Sequence, residues 1–386
     1  VPEPRVAIAY DCLFPVNGGG GERVYRRLAE DLVGRGASVA YVTRAQWAAD
    51  APPRASFDLV GVWRGDIYDA AGTRRQSSAV RFALALFRHF VRHRRDYDLV
   101  VVAALPVLNV FAVRLALLGR PTTLVVDWLE VWGRRKWREY AGLAAGSVAS
   151  LLQWLALRVR AVHTVNSRFT AARVRASRPG ADPLVLGLVD LVGEQPSADA
   201  EGDRAPLVLF VGRHIPDKRL DVLPAAIAHA RSAIPGLRAR IVGDGPETDR
   251  VRAITAELGL DDDIDFLGRV DDDTLQRSFA EAAVLVNPSA REGFGLVVAE
   301  AAAAATPSVV VAGADNAAAG LIEPGVNGLV AADTSPAVLG DAIVEVVRGG
   351  AVLRRSTLAW FERERVERGL GRSIDELLAR AGLSAR

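Results

Sequence analysis

AVLVNPSAREGFGLVVAE, residues 283–300, changes its grammar halfway. Residues 283–286 are continuously apolar, the pattern of a strand covered on both faces. Asn287, Pro288 and Ser289 then supply turn chemistry, and Gly293 and Gly295 permit a tight turn. From about Leu296 the pattern is helical. A buried strand that runs through a turn into a helix is half of a βαβ unit, so the fold class is α/β with a parallel sheet.

The same alternation extends outward on both sides. PSVVVAG (307–313) follows it, and IDFLGRV (264–270), LRARIVGDG (237–245) and PLVLFVGR (206–213) precede it, with helix-length segments between. Further upstream, GEQPSADAEGDRAP (193–206) is polar, rich in turn formers and without an apolar period, so it reads as an interdomain linker. The first half repeats the grammar in VAIAY (6–10), ASVAYVT (37–43), FDLVGVW (57–63), YDLVVVA (97–103), PTTLVVD (121–127) and AVHTVN (161–166). Val24, Leu28 and Leu32 mark one face of its first helix. WFERERVERGLGRSIDELLARAGL, near the end, is helical. The expected architecture is two Rossmann-like, doubly wound parallel-sheet domains, 1–192 and 207–365, joined by the linker 193–206. They would face each other across a cleft where strand ends and helix starts meet a ligand. A length of 386 residues suits two domains at roughly 100–200 residues each.

Composition narrows the class. Half the residues are hydrophobic and 24% are charged, an ordinary globular balance. Cys12 is the single cysteine, which excludes an intramolecular disulfide framework and a cysteine-rich metal site and fits a cytoplasmic setting. VPEPRVAIAYD enters a strand pattern at once, with no signal-peptide pattern. Methionine is absent, and Lys136 and Lys218 are the only lysines. Net charge is +2, yet residues 1–200 hold 27 Arg and Lys against 18 Asp and Glu, and residues 201–386 hold 21 against 28. The basic first half suits an anionic partner or the inner face of a membrane; an arginine-rich solvated face accounts for it equally well. Residues 140–157 carry no charge, the lower limit for a spanning helix. Gly142, Gly146, Ser147, Ser150 and Gln153 dilute that run, so a buried helix between strands is expected. Arg134, Arg135, Lys136 and Arg138 beside Trp132 and Trp137, and the arginine-rich residues 81–95, are candidates for bilayer contact, against the simpler reading of solvated faces.

Three motifs carry chemistry. NGGGGER (17–23) follows a strand and opens a helix, where glycines admit a close ligand and free N–H groups meet an anion. It lacks the Lys-Ser/Thr of a P-loop and the third glycine of the dinucleotide fingerprint. VGRHIPDK (211–218) ends a strand at Gly212, places Arg213 at its tip and expects Lys218 at the start of the next helix. An arginine fork and a lysine point charge there suit a diphosphate. In REGFGLVVAE (291–300), Glu292 lies in the loop and Glu300 about a turn into the helix, roughly 6 Å along its axis at 1.5 Å per residue. One carboxylate can reach sugar hydroxyls while the other accepts from ribose hydroxyls. The acidic runs 261–263 and 271–273 precede apolar-periodic segments and read as caps and turn formers, not metal ligands. His163 reads as structural and Ser167 as a helix cap.

Taken in order, the glycine loop, VGR…DK, VGDGPE, FLGRV, REGFGLVVAE and TPSVVV…GVNGLV resemble family 4 of the retaining glycosyltransferases with the GT-B fold, over nearly the whole chain. The resemblance implies that Arg213 and Lys218 are the diphosphate cations and Glu292 the acid near the donor sugar. Gly212, Phe294, Gly295 and Leu296 become backbone contacts to the donor, Glu300 the ribose ligand, and Arg269 and Val270 the base-contacting segment. Gly20 and Gly21 become the loop that closes on the donor phosphate, and residues 366–386 a helix that crosses back to the first domain. The family usually has a histidine after the strand ending at Asp127; here Leu129 takes that place, leaving Asp127 or Glu130 as substitutes.

The implied reaction moves a sugar from a UDP- or GDP-sugar to a hydroxyl on a lipid carrier, a polysaccharide or a small metabolite. It proceeds with retention, without a metal or other cofactor, and involves no nucleic acid. The alternatives are a sugar-nucleotide epimerase of the same fold and a non-catalytic nucleotide-sugar-binding protein.

Overall fold

In the computed structural model, residues 3–48, 52–67, 75–191, 202 and 204–383 are described. The chain divides into unit 1, Val1–Leu191 with Leu370–Arg386, and unit 2, Val192–Gly369. Most of the expected linker, residues 193–201 and 203, lies outside the described residues.

Unit 1 runs β1 (Arg5–Ala9), α1 (Gly20–Gly34), β2 (Ser38–Arg44), β3 (Asp58–Trp63), α2 (Gln76–Arg92), β4 (Leu99–Ala103), α3 (Leu108–Ala116), β5 (Thr123–Trp128), α4 (Arg134–Ala141), α5 (Leu143–Ala156), β6 (Val162–Val165), α6 (Arg168–Ser177) and β7 (Leu184–Val185). The seven strands are all parallel, in the order β3-β2-β1-β4-β5-β6-β7. Chain direction across the sheet reverses between β1 and β4, where a doubly wound sheet opens a crevice at its strand ends. Ala7, Val100, Val102, Val126 and Trp128 meet Phe82, Leu86 and Phe90 of α2, Val110 of α3 and Ala156 of α5 in one apolar cluster. Val24, Leu28 and Leu32 of α1 are buried as their spacing predicts.

Unit 2 runs β8 (Leu207–Val211), α7 (Leu223–Arg231), β9 (Arg238–Val242), α8 (Thr248–Glu257), β10 (Ile264–Gly268), α9 (Asp272–Glu281), β11 (Val284–Asn287), β12 (Arg291–Glu292), α10 (Leu296–Ala303), β13 (Ser308–Val311), β14 (Asp315–Asn316), β15 (Gly328–Ala331), α11 (Pro336–Arg348) and α12 (Gly350–Arg368). Its main sheet has the order β10-β9-β8-β11-β13-β15, and β12 pairs with β14 in a small ladder. The period-2 pleat sorts each strand's side chains to opposite faces. Val208, Phe210, Val284, Val286, Val309 and Val311 join one apolar cluster, and Leu209, Leu285 and Val310 the other. Both faces are therefore covered by helices, as the unbroken apolar runs require.

Four details depart from the sequence reading. β7 and β15 complete the sheets, although neither carries a strong strand pattern. The helical tail is two helices: extended backbone at Gly369 ends α12, and α13 (Leu370–Arg380) packs in unit 1. Arg204, in the expected linker, is anchored in unit 2 and donates to the carbonyl oxygens of Ala282 at 2.7 Å and Ala304 at 2.9 Å. Finally, α5 is not a buried helix: Gly146, Gln153 and Ala156 are its only buried residues.

Candidate active site

Three neighbouring strand ends in unit 2 are laced together through backbone. Gly212 N–H donates to Val242 O at 3.0 Å, Gly243 N–H to Gly268 O at 2.8 Å and His214 N–H to Asp244 O at 3.0 Å. Side chains are excluded here: a Cβ on Gly243, at φ +123°, would lie 1.8 Å from Gly212 O. The lacing brings Gly212 and the Arg269–Val270 segment to one sheet edge, with Arg213 and Arg269 exposed there. Val270 turns partly inward against an apolar cluster. Beneath the loop, His214 is buried, its Nδ1 lies 2.7 Å from Thr248 Oγ1, and its Nε2 has no hydrogen-bond partner. Burial, helped by the Arg252 charge, pushes its pKa below the ordinary histidine value.

Lys218 does not open a helix as expected. It ends a short 3-10 turn, Pro216–Lys218; Arg219 follows at φ +48°, then a second turn, Leu220–Val222, and α7 begins only at Leu223. The left-handed Arg219 interrupts the helical path, and the interruption leaves Lys218 directed at the loop after β11. Its Nζ pairs there with Glu292 Oε1. The same oxygen accepts from Ser289 Oγ at 2.9 Å and Asn287 Nδ2 at 3.2 Å. Two further links hold the loops in register: Arg291 with Asp217 at 2.7 Å, and Ala290 N–H to Asp217 O at 2.8 Å.

Sequence reasoning missed Asn287, Ser289 and Asn316. Buried Asn316 donates to Ser289 O at 3.1 Å and Val311 O at 2.9 Å, fixing the Glu292 loop from behind. Polar Asn287 at the end of an apolar strand was a signal available in the sequence. Asn316 gave none, because its value comes from loops remote in sequence.

After Glu292 the chain turns at Gly295, which has φ +97° and caps α10 without a side-chain hydrogen bond. A Cβ on Gly295 would lie 2.5 Å from Ala318 Cβ, so this close turn demands glycine. Phe294 and Leu296 flank it, half-buried, and Glu300 is half-buried within α10.

In unit 1, Gly20 and Gly21 are the first two residues of α1, and Gly19 caps it without a side-chain bond. A Cβ on Gly21 would lie 3.1 Å from both Leu129 Cδ1 and Tyr10 Oη, so Leu129 stands directly over the glycine loop. Asp127 is placed otherwise than a reacting group requires. It is 1% exposed, Tyr25 Oη donates to its Oδ2 at 2.6 Å and Thr164 Oγ1 donates to its Oδ1. Burial raises its pKa above the ordinary carboxylate value. Glu130 accepts from Trp132 Nε1.

The remaining polar candidates are structural. Trp128 Nε1 donates to His163 Nδ1 at 3.0 Å, which leaves the proton on Nε2, 3.2 Å from Val159 O. Ser167 caps α6 by accepting from Thr170 N–H, and Asp271 caps α9 by accepting from Thr274 N–H. Among the described residues, no group of three or more His, Cys, Asp or Glu side chains is placed to hold a metal ion.

Comparison with known proteins agrees with this architecture. The family model described as glycosyl transferases group 1 matches residues 193–357, and the glycosyl transferase 4-like domain matches residues 19–187. A D-inositol 3-phosphate glycosyltransferase of Nocardioides sp. is 33% identical over 210 residues, covering 50% of this chain and 45% of that protein. A Mycobacterium tuberculosis protein is named GDP-mannose-dependent alpha-(1-6)-phosphatidylinositol monomannoside mannosyltransferase. It is 31% identical over 191 residues, covering 46% of this chain and 47% of its own. The chain thus spans about half the length of the curated relatives it matches. Among solved structures, sucrose-phosphate synthase from Thermosynechococcus elongatus superposes with a TM-score of 0.79 at 20% identity, covering 98% of this chain and 99% of that one. WaaG, a glycosyltransferase involved in lipopolysaccharide biosynthesis, does so at 0.66 and 18%, covering 96% and 99%. With both halves matched by glycosyltransferase domains and both parallel sheets in place, the chain belongs to family 4 of the glycosyltransferases and has the GT-B fold.

Proposed function

We propose that the protein is a retaining glycosyltransferase that moves a sugar from a nucleotide diphosphate sugar to a hydroxyl acceptor without a metal ion. The observation that carries this reading is the convergence of Lys218, Asn287 and Ser289 on one oxygen of Glu292, beside the glycine turn that opens α10. A carboxylate held by three donors is pre-set in position, and its second oxygen is left to meet sugar hydroxyls. Lys218 supplies positive charge beside the turn that leads into the uncapped start of α10, and Arg213 stands exposed just past β8, a pair of cations suited to a diphosphate.

In the proposed reaction the bond from the anomeric carbon to the diphosphate oxygen breaks, and the electron pair leaves with the diphosphate. The acceptor oxygen bonds to the same face of that carbon, and its proton passes to the departing phosphate. Lys218 and Arg213 stabilise the charge that develops on the leaving group, the term that lowers the barrier most in such sites. The name of the Mycobacterium tuberculosis relative favours a GDP-linked donor, and the two names together favour an acceptor of the inositol phosphate or phosphatidylinositol class.

A thermal-shift screen against UDP, GDP and their sugars tests the donor half, since a bound donor raises the unfolding midpoint by mass action. Turnover with the preferred donor in chelator tests the rest. Lys218→Ala and Glu292→Gln are each expected to lower turnover by about a hundredfold or more, with the fold intact. Epimerised sugar nucleotide formed without any acceptor, or full activity in Lys218→Ala, would refute the proposal.

A further inference from the structure

One helical layer of unit 1 turns an apolar surface outward. The inner sides of α2, α3 and α5 pack on the sheet. On the outer side, α2 carries Val80, Leu84, Phe87 and Val91 at i, i+4, i+7 and i+11, all exposed. The outer side of α5 repeats the device with Val148, Leu151 and Leu155, and Trp154 stands beside them. Leu115 and Leu118 lie exposed at the end of α3. Twelve of the seventeen large apolar side chains found exposed among the described residues fall between residues 80 and 155. Concentration on one layer, not scattered exposure, is what marks an interaction surface.

The charge pattern around this surface selects the partner. Not one Asp or Glu occurs in α2, α3 or α5. Arg81, Arg88 and Arg92 follow i, i+7 and i+11 along α2, immediately beside its apolar stripe. Next to α5, α4 adds Arg134, Arg135, Lys136 and Arg138, and its one acid, Glu139, is paired with Arg135 at 2.7 Å. The Arg158 guanidinium lies 3.7 Å from the centre of the Trp154 ring. A cavity of about 570 Å³ beside the stripe is walled by Trp132, Leu151 and Trp154, with Arg134 and Arg138 at its polar side. Leu, Phe and Trp edged by arginine match the boundary of an anionic bilayer, where apolar tips enter the acyl region and guanidinium groups stay with phosphates. A second copy fits poorly, because two-fold pairing of this face would bring two arginine rims together. No helix among the described residues is long and apolar enough to cross a membrane.

We propose that the outer faces of α2, α3 and α5 dock unit 1 on an anionic lipid surface, with α2 and α5 in the plane of the interface. The inference holds whichever sugar the protein transfers.

Vesicle flotation tests it, using phosphatidylcholine alone and equal parts phosphatidylcholine and phosphatidylglycerol. The intact chain is expected to float with the phosphatidylglycerol vesicles, less so as salt rises, and to remain below phosphatidylcholine alone. Joint Leu84→Glu and Leu151→Glu replacement should reduce partition by about tenfold or more without lowering the unfolding midpoint, since both side chains are exposed. Val352→Glu with Val366→Glu, exposed positions in unit 2, should leave partition unchanged. Three outcomes would overturn the proposal: no flotation of the intact chain, equal flotation of the Leu84/Leu151 variant, or a solution dimer that this variant dissociates while vesicles capture neither form.

Discussion

Two acids in this chain illustrate how burial separates roles. Glu292 is held by a lysine, an amide and a hydroxyl on one oxygen, with its surroundings half-open. Asp127 is closed inside unit 1 and holds the hydroxyls of Tyr25 and Thr164, each on its own oxygen. Asp127→Ala would leave two buried hydroxyls without their acceptor, and we expect a loss of about 2–4 kcal/mol in urea unfolding. Asp127→Asn keeps an acceptor for Thr164, removes the buried charge and should stay within about 1 kcal/mol of the parent. The sign with pH is also fixed. The folded carboxyl keeps its proton above the unfolded value of 3.8, so its contribution favours the fold at acid pH and turns against it as pH rises. The asparagine variant should lose that dependence when unfolding is compared at acid and neutral pH. The sequence offered Asp127 as a candidate because Leu129 stands where the resembled family usually has a histidine; it could not show that Tyr25 and Thr164 close over the carboxylate.

At the scale of elements, α2 shows both what patterning reveals and what it hides. Its inner side, Phe82, Leu86 and Phe90, is at helical spacing and is buried. Its C-terminal turn carries His89, whose Nε2 lies 3.1 Å from Tyr97 Oη and whose ring stacks on His93 at 4.6 Å. Burial, with the His93 charge second, lowers the pKa of His89 from 6.5 to about 4. An unfolded chain then takes up this proton first, so stability should fall as pH drops from about 6.5 towards 4. Unfolding midpoints of the parent and His89→Gln, followed across that window, should converge at the acid end if this histidine is the cause. α5 was misread for the opposite reason. A charge-free run resembles a core helix, but apolar residues on both sides of a helix state only what they avoid, not what covers them. The Lys218 turn was misplaced because one left-handed residue, Arg219, stops the helix, and residue type alone does not announce that conformation at arginine.

For the whole molecule, the chain's path and its packing diverge at the end. α13 follows α12 of unit 2 directly, yet it buries Leu370, Ile374, Leu377 and Leu378 in unit 1. Arg35 anchors it through Asp375 at 2.7 Å and the Gly371 carbonyl at 2.8 Å, and Ser373 Oγ accepts from Gly187 N–H at 2.8 Å. Four buried side chains at about 1.5–3 kcal/mol each are a large part of a domain's net stability. Removal of residues 370–386 should therefore raise amide exchange in α1 and β7, which contact α13, and leave the β8, β9 and β11 amides protected. Uniform loosening of both units would contradict this assignment.

Sequence by itself determined the two parallel sheets, because strands covered on both faces must be continuously apolar and helices between them must be amphipathic. It also singled out Arg213, Lys218, Gly295, Glu292 and Glu300 as candidates, since these stand in short motifs where strands give way to turns and helices and backbone geometry restricts residue choice. Tertiary structure alone decided what those residues meet. Ser289 and Asn287 lie near Glu292 in the chain, but Lys218 reaches it across 74 positions and Asn316 braces its loop from β14, the strand paired with β12. It also decided that the outer faces of α2 and α5 stay exposed among the described residues, because burial depends on how many neighbours a layer receives, and no local pattern counts them.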